Sequence, residues 1–425
     1  MILTDIAQVI YAPKKAFKSI IANPKYLGAI IILVLFIGVE IGYEYGQFSK
    51  VELETTSPVP GMMQTFNNAT SWQSSQNVAL TNDFNDYFNN TVYVGQLGYA
   101  PTDPQGYYPL FGNFSLQIQA NNTDNFIAAL TNTSNVDCSQ TGFQNLSLTI
   151  KLVQPQSAPQ NATLTLYSLA DTNYYTYDLT SALSNASAVN QWGNLTIPVG
   201  PDASGWTASG NPQWQNITSL TLTFKYPSST DITVRIGALF FRGQWSQPIQ
   251  YDSTGFLLRF LQVFSLQFLF TWLILSALVY IICRGFKSPI LWKPIFIAVG
   301  MALFVMVIRG LVNIAATAAF PVTYYPYDVS LGVVYDPFAS LYYPATIGTL
   351  TAQSISALAT IDASLGVFRV ILSAMFVISY VWLGGLTALA IKELKPEFSL
   401  MKSLVIASVS VGVTVLALWL FIGIV

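Results

Sequence analysis

The sequence has no histidine, only two cysteines and little charge. Of its 425 residues, 9% are charged and 52% are apolar, whereas soluble domains carry about 25% charged residues. The absence of histidine excludes His-ligated haem, typical zinc and copper sites, and nucleophiles activated by histidine. Two cysteines on opposite sides of a membrane exclude an iron–sulfur cluster. We expect no metal, no cofactor, no nucleic-acid partner and no enzymatic activity; a hydrolytic site built from two carboxylates is the alternative, but no spacing singles out a pair.

Long apolar runs take the place of the missing charge. Each run has about the 20 residues that a membrane-spanning helix needs. They are 27–47, whose apolar part is 27–41, then 257–283, 295–316, 366–391 and 404–425. Glu40 and Glu44 lie at the outer end of the first run, and no small-residue cleavage site follows it, so we interpret it as an uncleaved anchor. The sequence predicts a membrane α-helical bundle of five transmembrane helices.

Basic residues predict the orientation of these helices. They cluster before the first span, between the second and third, and between the fourth and fifth: Lys14, Lys15, Lys18 and Lys25, then Arg284, Lys287 and Lys293, then Lys392, Lys395 and Lys402. With five spans all three groups fall on one side, which is then cytoplasmic. Residues 48–255, the loop 317–365 and the C-terminus would be extracytoplasmic, in a multi-pass protein of the cell membrane. A sixth span at 345–361 would reverse the last basic group, so a surface or interfacial helix is expected there.

Asn-x-Ser/Thr triplets occur only in the predicted external segment. The ten acceptors are Asn68, Asn89, Asn113, Asn121, Asn132, Asn145, Asn161, Asn185, Asn194 and Asn216. Their confinement to one block predicts exposure to a glycosylating compartment and covalent N-glycans. The alternative is that an Asn-, Ser- and Thr-rich segment produces such triplets by composition alone.

The same segment, 48–255, alternates apolar and polar residues. "NFSLQIQ" places Phe114, Leu116 and Ile118 on one face, and "NLSLTIKL" does so for 146–152. "TLTLY", "NLTIPV", "LTLTF" and "ITVRI" repeat the pattern. Period-two alternation is typical of half-buried antiparallel strands. Short strands separated by Gly, Pro and Asn turns predict a large extracytoplasmic all-β sandwich domain.

Residues 140–245 resemble the closing half of galactose-binding-like jelly rolls, which include many carbohydrate-binding modules. The resemblance rests on a Trp-bearing strand before a loop and on the later "I-x-x-L-x-F" pattern, here ending in "IGALFF". It implies sugar contacts by exposed aromatic side chains near amides. The candidates are Trp192, Trp206, Trp214, Tyr174, Tyr175 and Tyr177. The alternative is that most of them pack the core or cap the ends of the sandwich.

The two cysteines cannot pair in this topology. Cys138 lies in the external segment and Cys283 near the inner end of a span. The external domain therefore has no internal disulfide. We expect Cys138 to be a buried free thiol, with a bridge to a partner chain as the alternative.

The N-terminal segment 1–26 predicts a short cytoplasmic helix. Pro13 suits a first helical turn, and Ala16, Phe17, Ile20 and Ile21 form an apolar stripe flanked by lysines. Such a helix is expected to lie on the anionic inner leaflet.

The membrane part, 1–47 and 256–425, resembles the Yip-domain family of five-span integral membrane proteins. The resemblance rests on Pro13, Phe17 and the pair Asn23-Pro24 before the first span, and on "CRGFKSPILWKP" and "GLTALAIKELKPEFSLMKSLVIA". In that family the link between the first two spans is usually short, whereas here about 200 residues intervene. For most prokaryotic members the resemblance implies a membrane scaffold without chemistry.

The few charges within the apolar runs are a further signal. They are Glu40, Glu44, Arg259, Arg309 and Arg369. Such charges are costly in a bilayer and are usually paired or functional. We expect the two carboxylates to meet Arg309 or Arg259 in an ion-pair cluster that locks the bundle. The alternatives are a contact with another subunit and a proton or ion path.

The sequence leaves three functions open. The first is a structural or accessory subunit, or scaffold, of a larger membrane or cell-envelope assembly, with lipids and other subunits as partners. The second is a membrane-anchored surface protein that binds carbohydrate or an envelope component. The third and weakest is a transporter component, because no inverted repeat or pair of broken helices is evident.

Overall fold

The computed structural model describes residues 2–59, 64–86, 91–93, 107–109, 111–186, 188–251, 253–286, 290–327 and 352–422. The chain divides into two compact units. The helical unit comprises Met1–Val51, Ile249–Thr323 and Thr360–Val425, and the β unit comprises Glu52–Pro248 and Tyr324–Ala359.

Helices occur in both units of the chain. They are α1 (Ile2–Tyr11), α2 (Pro13–Ala22), α3 (Tyr26–Phe48), α4 (Gln64–Asn67), α5 (Thr180–Asn185), α6 (Pro248–Tyr251), α7 (Ser253–Gly285), α8 (Trp292–Ala302), α9 (Phe304–Ala318), α10 (Ala352–Leu394) and α11 (Leu400–Ile422).

The five predicted apolar spans are confirmed as helices long and apolar enough to cross a membrane. They are Tyr26–Phe48, Ser253–Gly285, Trp292–Ala318, Ala359–Leu394 and Leu400–Leu420. The third combines α8 and α9, which are interrupted only at Leu303.

The expected surface helix at 345–361 is not a separate element in its described part. Residues 345–351 lie outside the described residues, and 352–361 form the first turns of the 43-residue helix α10. No Gly or Pro in 352–361 interrupts the helix before the apolar run begins.

The N-terminal segment differs from the expectation of one interfacial helix. It forms two helices, α1 and α2, with Pro13 in the first turn of α2 as predicted. Ala16 and Phe17 are fully buried and Ile20 is 5% exposed. These three stripe residues therefore pack on protein rather than on a lipid surface, whereas the fourth, Ile21, is only half-buried. The lysines around the stripe are exposed.

Small residues bring α3 and α9 close together. A Cβ added to Gly310 of α9 would lie 2.5 Å from Val39 of α3, and one added to Gly46 would lie 2.8 Å from Thr317. Membrane helices commonly associate through such small residues, which let their backbones approach. The same close approach brings a glutamate of α3 within reach of an arginine of α9, described below.

Antiparallel pairing predominates among the strands of the chain. They are β1 (Val51–Ser57), β2 (Trp72–Ser74), β3 (Val78–Phe84), β4 (Thr91–Tyr93), β5 (Tyr107–Pro109), β6 (Phe114–Leu130), β7 (Asn145–Gln154), β8 (Asn161–Ser168), β9 (Ala170–Asp178), β10 (Gly193–Pro198), β11 (Trp206–Ser209), β12 (Ile217–Ser246) and β13 (Thr323–Tyr325). Apart from the β4–β5 pair, the described strands belong to one 11-stranded hydrogen-bonded sheet.

Two long strands, β6 and β12, run through both layers and fold this sheet into a β-sandwich. The first part of β12 pairs with β8 and with the end of β6, and β9 and β11 extend this layer beyond β8. The second part of β12 pairs with β7 and with the start of β6, and β10 and β3 extend that layer. The predicted β-sandwich is confirmed.

The predicted strands "LTLTF" and "ITVRI" are parts of one strand, β12, which corrects the expectation of a turn between them. The intervening residues include exposed Pro227, Ser228 and Ser229, a composition typical of turns. Instead the pairing register shifts between Lys225 and Ile232. The chain bends there and passes from one layer to the other without a break.

The core lies between the layers. Leu146, Leu148, Ile150 and Leu152 are at most 1% exposed, as their alternation predicts. Phe126 and Phe224 stack with ring centroids 5.0 Å apart and planes 9° apart. In "NFSLQIQ", Leu116 and Ile118 are fully buried, but Phe114 is 41% exposed. Phe114 shares their face, as predicted, but it is not buried because it pairs with Phe84 where β3 and β6 reach the end of the sheet.

Candidate functional site

An aromatic cluster lies at the β9–β11 edge of the sandwich. Tyr175 and Tyr177 of β9 stand opposite Leu166 and Leu164 of β8, which belong to the buried core. Paired residues of neighbouring strands lie on the same face. These two tyrosines therefore point inward, and Trp206, the β11 partner of Tyr177, shares their face.

Trp214 completes the cluster from the loop that precedes β12. Its ring stacks on Tyr175 with centroids 3.9 Å apart and planes 11° apart. Trp206 meets Trp214 edge-on at 5.5 Å, and Tyr177 lies 5.1 Å from Trp206. Four of the six predicted aromatic candidates are thus brought together. Tyr175 is 8% exposed, and Tyr177, Trp206 and Trp214 are partly buried against the core.

A cleft of about 510 Å³ opens beside this cluster. It is lined by Ser139, Gln140, Thr141, Tyr175, Pro201, Pro212, Gln213, Trp214 and Gln215. Its walls combine one aromatic stack with three amide and two hydroxyl side chains. This is the composition of small-molecule sites in which a few polar groups orient the ligand.

Hydrogen bonds fix the loop that forms one wall of the cleft. The Tyr175 hydroxyl donates to the carbonyl of Pro212 over 2.9 Å, and the Ser168 hydroxyl donates to that of Gln213 over 3.0 Å. The amide N–H of Cys138 donates to the carbonyl of Trp214 over 2.7 Å. The side chains of Gln213, Trp214 and Gln215 therefore project from a backbone that is already held in place, so little ordering is required on binding.

The lining of the cleft carries no formal charge. Burial raises the pKa of Tyr175, so its phenol keeps the proton that it donates to Pro212. Behind the cleft, burial and the neighbouring Asp137 raise the pKa of the Cys138 thiol, which is fully buried and free, as expected. These groups are neutral at physiological pH, and the site is suited to an uncharged ligand.

Gly205 allows the backbone just before β11 to pack directly against the ring of Tyr177. Its φ is +89°, a conformation that L side chains rarely adopt, and an added Cβ would lie 2.9 Å from the Tyr177 ring. The sequence "SGW" thus places Trp206 directly against Tyr177.

The other two aromatic candidates lie elsewhere. Tyr174 faces away from the core and packs on Tyr167, with ring centroids 5.7 Å apart. Trp192 lies beside the other layer, where the guanidinium of Arg235 is 5.5 Å and the ammonium of Lys151 is 5.8 Å from its ring centroid. The sequence does not distinguish these two from the four in the cluster.

The amides of the cleft were not singled out from the sequence. Gln213 and Gln215 flank Trp214 in "NPQWQN", and that amide–aromatic alternation is the available signal. Ser139, Gln140 and Thr141 come from more than seventy residues earlier in the chain. Their approach to Trp214 depends on the pairing of Val136 with Ile217, which no local pattern predicts.

The glycosylation acceptors differ in exposure. Six side chains are exposed: Asn113, Asn121, Asn132, Asn161, Asn185 and Asn194. Three are half-buried: Asn68, Asn145 and Asn216. Asn89 lies outside the described residues.

The helical unit brings two of the predicted charged residues into an ion pair. Glu40 of α3 and Arg309 of α9 lie 3.1 Å apart, with side chains 5% and 11% exposed. Glu44 and Arg309 line one cavity with Glu40. Arg259 lies at an exposed position of α7, and no ion pair joins it to Glu40 or Glu44 in the described part of the chain. Arg369 lies within α10.

The described residues contain no cluster of three or more His, Cys, Asp or Glu side chains that could hold a metal ion.

Comparisons with known proteins add little. No protein-family model and no curated protein matches the chain, so the Yip-domain resemblance stays a prediction. A family 11 carbohydrate-binding module from Clostridium thermocellum, in complex with a β-1,3-1,4-mixed-linked tetrasaccharide, is 12% identical, with a TM-score of 0.26; the match covers 44% of this chain and 94% of the module. An exo-β-agarase matches with 11% identity, 42% and 24% coverage and a TM-score of 0.27. A β-1,2-glucanase from Parabacteroides distasonis matches with 13% identity, 41% and 23% coverage and a TM-score of 0.26. At these scores the similarities do not bear on function, and the cleft is interpreted from its own residues.

Proposed function

We propose that this chain is a non-enzymatic, multi-pass membrane protein that presents a glycan-binding β-sandwich on the extracytoplasmic side. The observation that carries the proposal is the uncharged cleft in which Trp214 stacks on Tyr175 among the amides of Gln140, Gln213 and Gln215. The ligand class is a neutral oligosaccharide or an envelope glycan.

The cleft offers both kinds of contact that a sugar ring requires. The partly exposed indole of Trp214 provides an apolar surface for the C–H groups on one face of a pyranose. The glutamine amides each supply donors and an acceptor for hydroxyl groups. The absence of cationic side chains from the lining disfavours phosphorylated, sulfated or uronic sugars.

Contacts within the β unit support the proposed topology. The backbone N–H of Tyr327 donates to the carboxylate of Glu54 over 2.9 Å, and the Tyr327 ring lies 5.1 Å from that of Phe240. Glu54 precedes α7 in the chain, whereas Tyr327 follows α9. Two candidate spans separate these contacting segments. Two crossings return a chain to the side from which it started, so the contact supports placing both segments outside with the basic loops inside.

A glycan panel tests the proposal. Full-length protein in mild detergent would be applied to immobilised neutral and anionic oligosaccharides, with the Asn216→Gln variant in parallel, because a glycan on Asn216 would stand next to Gln215. Selective capture by neutral glycans, equal or stronger for Asn216→Gln, is expected. Capture by none of them, or by anionic glycans alone, would contradict the proposal.

A second candidate function is an accessory subunit of a membrane assembly. Its support is the exposed apolar surface of α10, where Val367 and Val370 are 69% exposed and Val381 is 71% exposed. In a membrane such a face contacts lipid or another protein. Partners that co-purify from native membranes at a fixed ratio would favour this role, and a chain that purifies alone would count against it.

A further inference from the structure

A cavity of about 470 Å³ lies inside the helical unit, apart from the β-sandwich cleft. Four helices contribute to its walls: α3, α7, α9 and α10. Its polar lining includes Glu40, Glu44, Arg309 and Asn313, and its aromatic lining consists of Tyr43, Phe264 and Phe376.

Two carboxylates line this cavity, but only one of them has a cationic partner among the described residues. Glu40 is paired with Arg309 at 3.1 Å, which neutralises one carboxylate. Glu44 lies one helical turn further along α3, on the same face as Glu40. The described residues that line the cavity include no second cation for Glu44, and no ion pair of Glu44 is formed in the described part of the chain. An ionised Glu44 would therefore be an uncompensated negative charge, a costly condition inside an apolar bundle that a cationic ligand would relieve.

A second, independent feature points into the same cavity. Asn313 of α9 is 7% exposed, and its Oδ1 accepts no hydrogen bond from the described residues. A buried acceptor left without a donor costs about 1–3 kcal/mol. A ligand with N–H or polarised C–H groups would satisfy Asn313 and compensate Glu44 at the same time.

The size and the donor set select the kind of cation. Calcium takes six to eight oxygen ligands and magnesium an octahedron. Apart from the Glu40–Arg309 pair and Tyr43, the described lining of this cavity offers only four oxygen-bearing side chains, those of Glu44, Gln267, Asn313 and Ser373. Tyr43, Phe264 and Phe376 add aromatic rings to the wall, and such rings attract organic cations through their faces. The volume falls within the range of about 300–1,000 Å³ that is typical of small-molecule sites.

The geometry points to a binding site for an organic ammonium group, with Glu44 as its counter-ion and Asn313 as its hydrogen-bond acceptor. The ammonium group belongs either to a lipid headgroup that enters between the helices or to a free amine. This site is independent of the glycan cleft and does not require it.

Binding of defined amines to the full-length protein tests the site. The probes are ethylammonium and tetramethylammonium chloride, with sodium chloride at equal ionic strength as the reference. Calorimetric titration in a detergent free of amine-containing lipid would give the affinities. Glu44→Gln removes the counter-ion with little change of shape, and binding is expected to weaken at least about tenfold. The matched control Glu393→Gln removes a carboxylate outside the cavity and should leave binding unchanged.

Two further arms keep the test decisive. Asn313→Asp adds a carboxylate to the cavity and should strengthen binding. The two variants should therefore shift the affinity in opposite directions, and misfolding cannot produce a gain in affinity. Repetition in nanodiscs of phosphatidylethanolamine or phosphatidylglycerol separates the sources. If ethylammonium binding is lost only in phosphatidylethanolamine nanodiscs, the lipid headgroup competes for the site and is its ligand. If binding is unchanged in both lipids, the ligand of the site is a free amine. The site is overturned if neither amine binds, or if both variants bind them as the wild type does.

Discussion

Arg309 donates a hydrogen bond of 3.1 Å to the carboxylate of Glu40, and this pair joins α9 to α3 inside the helical unit. Both side chains are largely buried. The pair therefore stabilises the bundle mainly because neither charge can be left alone there.

Removing only the cation should therefore be severe. Arg309→Met is expected to lower the stability of the helical unit by about 3–5 kcal/mol, because Glu40 would remain buried and uncompensated. Adding Glu40→Gln should recover part of that loss. The midpoint of thermal unfolding in detergent, followed by helical circular dichroism, measures both effects. Arg284→Met, at an exposed position, is the control and should change stability by less than about 0.5 kcal/mol. A double variant as unstable as Arg309→Met would show that the pair is not the cause.

The close approach of α3 and α9 predicts a contrast between two glycines. Gly310→Ala would force a methyl group against Val39 and should destabilise the bundle by about 1–3 kcal/mol. Gly38→Ala, where no atom lies within 4 Å of the added Cβ, should be neutral or stabilising by up to about 1 kcal/mol. The same unfolding midpoint compares them. Equal effects of the two changes would rule out tight packing at Gly310.

Tyr226 predicts an alkaline limit to the stability of the β unit. Its ring is 1% exposed, and its hydroxyl has no hydrogen-bond partner among the described residues. Burial raises the pKa of Tyr226 to about 12, so as pH rises the unfolded chain, with a tyrosine pKa of about 10, releases its proton first. This contribution to stability is complete below pH 10 and is lost between about pH 10 and pH 12.

The variant Tyr226→Phe isolates this effect. At pH 7 its unfolding free energy should equal that of the wild type or exceed it, because an unpartnered buried hydroxyl is removed. At pH 11 the wild type should have lost about 1.4 kcal/mol relative to the variant. Unfolding followed by β-sheet circular dichroism measures both. A constant difference between pH 7 and pH 11 would contradict the assignment.

The exposure of the acceptors predicts a graded pattern of glycosylation. Asn113, Asn121, Asn132, Asn161, Asn185 and Asn194 should be the most highly occupied, since their side chains are exposed. Asn145 should be the least occupied, because Gly243 lies against its Nδ2, the atom that a glycan modifies. A Cβ added to Gly243 would be only 2.9 Å from that atom. Mass spectrometry of glycopeptides from native membranes gives the occupancy of each site. A fully modified Asn145 beside empty exposed sites would contradict the expectation.

Local residue patterns were sufficient to predict the apolar spans and most of the strand segments. The alternation of Leu146, Leu148 and Ile150 predicts one buried strand face, because only the nature of each side chain is needed. The pairing of Glu40 with Arg309 could also be predicted, because so few charged residues occur in the spans.

Features that depend on distant pairings could not be predicted. The continuity of β12 through Pro227 contradicts its turn-like composition, and it arises because the strand spans both layers. The contact of Tyr175 with Trp214 and the position of Trp192 beside Arg235 both depend on strand order. No single sequence pattern encodes that order.

The most direct test of the proposed function is the affinity of three chains for the best neutral glycan of the panel. Full-length wild type, Trp214→Ala and Trp214→Phe would be titrated by calorimetry, with Trp245→Ala, an exposed tryptophan outside the cleft, as the matched control. We expect Trp214→Ala to weaken binding at least about tenfold, whereas Trp214→Phe and Trp245→Ala should stay within about threefold of the wild type. Unchanged affinity in Trp214→Ala would show that the cleft is not the glycan site.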